Sequence, residues 1–221
     1  MIEIEGKQVF TELAELVDPA HSALVVVDMQ RDFCQTGGAF DRLGVDISMY
    51  PPVIPRIARL IEGARGAGVQ MIYIQMTVLP GRKSESPAQI RFNRRMHLAN
   101  AGGEPLAYTA DGSSGQEVLP ELAPVDGDLV VKKYRSSAFW GTNLDLLLRS
   151  NGIKSVIVTG CTTEGCVEST ARDALFNDYY VVVVEDCVAS DDHDQHEASL
   201  LLMRHRFDIA TAEEVLRVWN G

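Results

Sequence analysis

The chain has 221 residues, 46% of them apolar and 23% charged, enough apolar material to bury a sizeable core in a single domain spanning residues 1–221. Its 20 Lys and Arg against 31 Asp and Glu leave a formal net charge of −11. That balance repels phosphate backbones and anionic lipid surfaces, so neither nucleic acid nor a membrane is expected as a partner.

In chain order, the start carries Glu3, Glu5, Glu12 and Glu15 and lacks the basic segment and unbroken apolar run of a secretory signal. No apolar run reaches the ~20 residues of a membrane helix, and a cytoplasmic location is expected. Short runs rich in Val and Ile predict strands at Ala23–Asp28, Val69–Gln75, Leu129–Lys132, Ser155–Thr159, Tyr180–Glu185 and Phe207–Ala210. Leu24-Val25-Val26-Val27 and Val181 to Val184 are continuous rather than alternating, as in strands covered on both faces. Helical patterns fall between them at Pro52–Ala67, Thr142–Ser150, Glu164–Asp178, Asp191–His205 and Ala212–Val218, with a local helix around Pro87–Ala99 inside an otherwise irregular stretch from Thr77 to Asp128. Thr142 with Asp145, and Ser190 with Asp191 and Asp192, look like helix starts; Gly66, Gly68 and Gly152 look like helix ends. This alternation predicts an α/β fold: three α/β/α layers around a mainly parallel, Rossmann-like sheet of about six strands.

In such a sheet ligands collect at the carboxyl ends of strands. Asp28 ends the first apolar run, where an acid is paired, protonated or set in a cleft, or else merely caps the next turn. Lys132 and Lys133 end the third run and face opposite ways, and spacing does not choose between them. The run Val156 to Thr159 enters the turn Gly160-Cys161-Thr162-Thr163-Glu164-Gly165-Cys166, with Thr163 a candidate N-cap and Cys166 in the first helical turn. A helix N-terminus and a nearby lysine would favour a thiolate there, and the same amides suit a developing oxyanion. The four cysteines, at 34, 161, 166 and 187, include no CxxC pair and suggest neither a disulfide scaffold nor a structural zinc site. Cys34, Cys161 and Cys187 read as inert packing.

Three ordered segments together carry a resemblance: Val26 to Phe33, Lys133-Tyr134-Arg135-Ser136-Ser137-Ala138-Phe139, and Thr159-Gly160 followed by Cys166 to Ala174. From about Ala23 onward the chain resembles the isochorismatase-like cysteine hydrolases. The resemblance implies a triad of Asp28, Lys133 and Cys166, a cis peptide between Cys161 and Thr162, and an oxyanion hole formed by the amides of Thr162 and Cys166. It implies hydrolysis of a C–N bond through a cysteine thioester, without metal or other cofactor. It also implies a homo-oligomer, dimer or tetramer.

Members that open the vinyl ether of isochorismate lack the cysteine, and nicotinamidase-like members carry histidines after the second strand, where this chain has Gln75 to Gly81. The expected substrate is therefore a small linear carbamoyl or amide compound resembling biuret, triuret or ureidoacrylate. The alternatives are an N-carbamoyl amino acid, maleamate, nicotinamide or a non-amide isochorismatase-type substrate. Ser136 departs from the family pattern, which tells against biuret in particular. Phe33 is the expected aromatic wall of the pocket, with Gln75, Asn93 and Trp140 as further lining. His193 and His196, three apart among acids, resemble a metal site but are explained by a solvated helix start. The basic cluster Arg82, Lys83, Arg91, Arg94 and Arg95 reads as solvated surface or, in the sharper alternative, as a cradle for an anionic substrate. A non-catalytic interaction protein on the same fold would have no use for acid, lysine and thiol together.

Overall fold

The computed structural model describes residues 1–96 and 108–221. The chain opens with an exposed antiparallel hairpin, β1 (Ile2–Ile4) and β2 (Lys7–Val9), too short to leave a periodic signal. A short helix, α1 (Leu13–Leu16), leads to β3 (Ser22–Val27), and two four-residue helices follow, α2 (Arg31–Cys34) and α3 (Ala39–Arg42). The long α4 (Tyr50–Ala67) ends at Gly68, whose φ of +80° gives the left-handed cap that glycine adopts without strain. Then come β4 (Gln70–Met76), α5 (Pro87–Met96), β5 (Leu129–Lys133), α6 (Leu144–Ser150) and β6 (Ser155–Cys161). A π-helical turn over Thr163–Val167 leads into α7 (Glu168–Phe176), followed by β7 (Tyr180–Ala189), α8 (His193–Met203), β8 (Asp208–Ala210) and α9 (Ala212–Asn220).

The strands from β3 onward form a six-stranded sheet in the order β5-β4-β3-β6-β7-β8, every neighbouring pair parallel. Expected strands and helices lie where the pattern put them, with shifted ends. The helix expected over Pro87–Ala99 is described only to Met96. β7 runs past Glu185 to Ala189 because a register shift opposite Val158 and Gly160 carries it beyond its acidic pair. Every residue of β3 is buried. Leu24 and Val26 pack with α4 and α9 residues such as Leu60 and Val215, while Val25 and Val27 pack with Leu144, Ala171 and Met203 of α6, α7 and α8. Helices thus cover both faces, giving the three layers. Among the described residues no helix is long and apolar enough to cross a membrane.

The chain runs one way from β3 through β4 to β5 and then crosses to the other side of β3 to add β6, so the carboxyl ends of β3 and β6 open a crevice at the point where strand order reverses. The two strands approach closely there. Gly160 has φ +111°, and a β-carbon on it would lie 2.0 Å from the Val27 carbonyl oxygen. Gly160→Ala should therefore cost about 3 kcal/mol or more, a fall in Tm of about 6–12 °C for a chain this size. A melt within a degree or two of the parent would contradict the close approach.

Candidate active site

The site is built from three strand ends. Asp28 is the first residue beyond β3; its amide still donates to Ile74 O at 3.1 Å, but its own φ is +52°. A non-glycine residue holds that left-handed conformation only where its surroundings compel it. Here they do: Oδ1 accepts from the Met76 amide at 3.0 Å, and Oδ2 lies 2.8 Å from Lys133 Nζ. The pleat of β5 distinguishes the two lysines, burying Val131 and Lys133 and exposing Val130 and Lys132. Lys132 pairs with Asp111 in solvent. Lys133 is fully buried; its ammonium forms an ion pair with Asp28 Oδ2 and donates to Arg135 O at 2.9 Å, to Cys166 Sγ at 3.1 Å and, more distantly, to Met76 Sδ at 3.7 Å.

Cys166 sits in the π-helical turn after β6, and the Cys161–Thr162 peptide is cis. The turn differs from the expected α-helical start. Thr162 takes the cap position without a side-chain bond, and Thr163 instead places Oγ1 2.8 Å from His196 Nδ1. Ser190 Oγ donates to Glu164 Oε2 at 2.6 Å, so α8 and its approach hold the cysteine-bearing turn from behind. The thiol also departs from expectation. Burial and the Asp28 carboxylate push Cys166 up to about 12, with Lys133 pulling the other way. The lysine does not deliver a resting thiolate because its charge is already engaged by Asp28. Burial alone would depress Lys133, but Asp28 and Cys166 together hold it above its ordinary value. The resting site is thus a neutral thiol beside a carboxylate–ammonium pair.

Asp28 and Cys166 face a small cavity, with Lys133 buried behind them. Phe33 forms one wall as expected, joined by Phe40 at 4.8 Å and Tyr108 at 5.7 Å between ring centroids. Asn93, Thr162 and Cys166 line the cavity as well. Gln75 and Trp140 do not. Alternation along β4 sends Met76 into the cavity and Gln75 to the other side, and Trp140, 71% exposed, lies in an outer groove with Phe176. Sequence reasoning missed Phe40, Met76, Gln89, Phe92, Tyr108 and Cys161; Ser136, singled out for its departure from the family pattern, borders the cavity too. Gln89 and Phe92 were within reach, since with Asn93 they share one face of a helix. Cys161 read as filler; its sulfur, 3.6 Å from that of Cys34, also borders the cavity.

The basic cluster stays off the cavity wall. Arg82 pairs with Glu85 at 2.6 Å, and Arg91, Arg94 and Arg95 are exposed. His196, which faces Thr163, is held by burial below its ordinary pKa, so the folded chain keeps the ring neutral to lower pH than the unfolded chain does. The unfolded chain then binds the extra proton. Its stabilising effect is present above pH ~6.5 and is lost as pH falls through the window below it. Melting curves at pH 7 and pH 5.5 should differ more for the parent than for His196→Gln; an equal difference would rule out this contribution.

A family model described as the isochorismatase domain matches residues 22–214, a span that contains β3, β5, β6 and all three converging side chains. This chain belongs to the isochorismatase family. The isochorismatase-family chain is 40% identical over 176 residues to the ureidoacrylate amidohydrolase RutB of Enterobacter sp. (strain 638), covering 76% of this chain and 75% of the relative. Among solved structures it is similar to a cysteine hydrolase from Pseudomonas syringae pv. phaseolicola 1448A, with TM-score 0.78, 27% identity and coverage of 93% and 95% of the two chains. It is also similar to the N-carbamoylsarcosine amidase of Thermoplasma acidophilum, with TM-score 0.66, 29% identity and coverage of 87% and 97%. Within this family the chain is a hydrolase acting on C–N bonds other than peptide bonds.

Proposed function

We propose that this chain hydrolyses a small linear carbamoyl compound of the ureidoacrylate type, with Cys166 as nucleophile. The observation that carries the reading is Lys133 Nζ held 3.1 Å from Cys166 Sγ and 2.8 Å from Asp28 Oδ2 at one end of a small cavity. Since the thiol rests protonated, its proton moves to Asp28 as Cys166 Sγ attacks the carbonyl carbon. The backbone amides of Thr162 and Cys166 receive the developing oxyanion. Lys133 stays charged throughout, offsetting negative charge on Asp28 before the transfer and on sulfur during it. Asp28 returns the proton to the departing nitrogen, the C–N bond breaks, and a thioester remains on Cys166. A water, giving its proton to Asp28, attacks that carbonyl; the C–S bond breaks, the acid leaves, and Asp28 passes the proton to sulfur, restoring the thiol.

The mostly apolar wall of Phe33, Phe40, Tyr108 and Met76 suits a planar group. A carboxylate tail would extend past Ser136 into the outer groove, where Arg135 lies. The test is a release assay for ammonia and amine over ureidoacrylate, biuret, triuret, N-carbamoyl amino acids, maleamate and nicotinamide. A linear carbamoyl compound should give the highest kcat/KM; nicotinamide ranking first would overturn the reading.

A further inference from the structure

Beside the thiol, α5 carries a hydrogen-bond chain whose direction is fixed at one end by charge. Arg82 Nη1 donates to Glu85 Oε2 at 2.6 Å, and the Glu85 side chain is only 2% exposed. A carboxylate only accepts, so the Asn93 atom 2.8 Å from Glu85 Oε1 is Nδ2, the donor. Asn93, 4% exposed, must then turn Oδ1 the other way, where Gln89 Nε2 donates to it at 2.8 Å. The two amides, whose orientation would otherwise be a matter of choice, are set in series by the buried acid. At the end of the series Gln89 Oε1 is left as an acceptor with no partner among the described residues. Gln89 lines the same cavity as Asp28 and Cys166.

We propose that Gln89 Oε1 is a specificity-determining acceptor for an N–H of the substrate's terminal carbamoyl group, with Asn93 and Glu85 as its positioning residues. The assignment rests on the carbamoyl-hydrolase reading above and deepens it. A substrate that presents NH2 at this point pairs the acceptor. One that presents a methyl group in the same volume strips water from Gln89 and leaves it unpaired, and sites built this way reject the poorer analogue strongly. The series also polarises the free carbonyl, because each bond strengthens the next.

The test compares the leading carbamoyl substrate with its N-acetyl analogue, in which CH3 replaces the terminal NH2 and the C–N bond to be cleaved is kept. The ratio of the two kcat/KM values is the readout. In Gln89→Leu the preference for the carbamoyl compound should fall about tenfold or more, while the melting temperature, which reports an intact fold, stays within a few degrees of the parent and the N-acetyl analogue is still turned over. In Glu85→Gln, whose amide no longer dictates which way Asn93 turns, the preference should fall by about threefold or more. A Gln89→Leu enzyme that keeps the parent's preference within about twofold overturns the inference and leaves the carbamoyl-hydrolase reading standing. If the parent itself turns over no carbamoyl compound, the earlier reading fails in that arm alone, and this one with it.

Discussion

Cys166→Ala should lower kcat/KM for the leading amide by at least about 10⁴-fold, because without the sulfur no thioester forms and only binding and the oxyanion amides remain. The fold should persist, since the thiol is small and sits at the cavity edge, so the melting temperature is expected to stay within a few degrees. The chemical state of that sulfur makes a second, sharper expectation. With Cys166 pushed up to about 12 by burial and Asp28, only the rare thiolate reacts with iodoacetamide in the substrate-free enzyme. Alkylation should accelerate about tenfold per pH unit from pH 7 to beyond pH 10. A rate that levels off near pH 7 would mean a resting thiolate, and the carboxylate would then not be needed as the base that takes the thiol proton.

Lys133→Met tests the other half of the site. Asp28 is 1% exposed and its partner's ammonium is fully buried, so removing the lysine leaves a charge with no counterion in a low-dielectric pocket. Breaking a buried pair from one side costs about 3–5 kcal/mol, or a fall in Tm of about 6–20 °C, and activity should be lost with it. The double variant Lys133→Met with Asp28→Asn removes both charges. Stability should largely return, while hydrolysis should not. If the single lysine variant melts like the parent, the pair is not the buried unit its 2.8 Å contact implies; if the double variant regains activity, neither group takes part in proton transfer.

Much of this site was legible because its parts lie at strand ends. A buried parallel strand announces itself as an unbroken apolar run, so the residue that breaks the run, Asp28, is conspicuous. The choice between Lys132 and Lys133 was not legible from spacing; it depends on which face of β5 is covered, and edge strand β5 shows one buried and one exposed side. Gln75 and Trp140 failed for related reasons. Adjacent positions on β4 point apart, and an aromatic near the end of a family motif can equally well face solvent. The π-helical turn left no trace in the residue types, because one extra residue in a turn changes which amides are free without changing composition. Nor could the sequence reveal that the thiol is held well above its ordinary pKa, since that depends on how deeply the sulfur is buried and on the carboxylate packed beside it. The Glu85–Asn93–Gln89 series was half visible: helical spacing aligns Gln89 with Asn93, but only the buried carboxylate gives the alignment a direction.

The order of the sheet also bears on how the molecule comes into being. β3 lies between β4 and β6, and Ser22 to Val27 pair with Ser155 to Gly160. During synthesis that strand is made early and its second neighbour late. At about 5–20 residues per second, β3 waits on the order of ten seconds with one row of backbone amides and carbonyls open. A flat, apolar strand with a free edge is the kind of segment that pairs with other chains. Ribosomes stalled before Ser155 should therefore hold nascent chains that recruit holdase chaperones, and those stalled well beyond Cys161 should not.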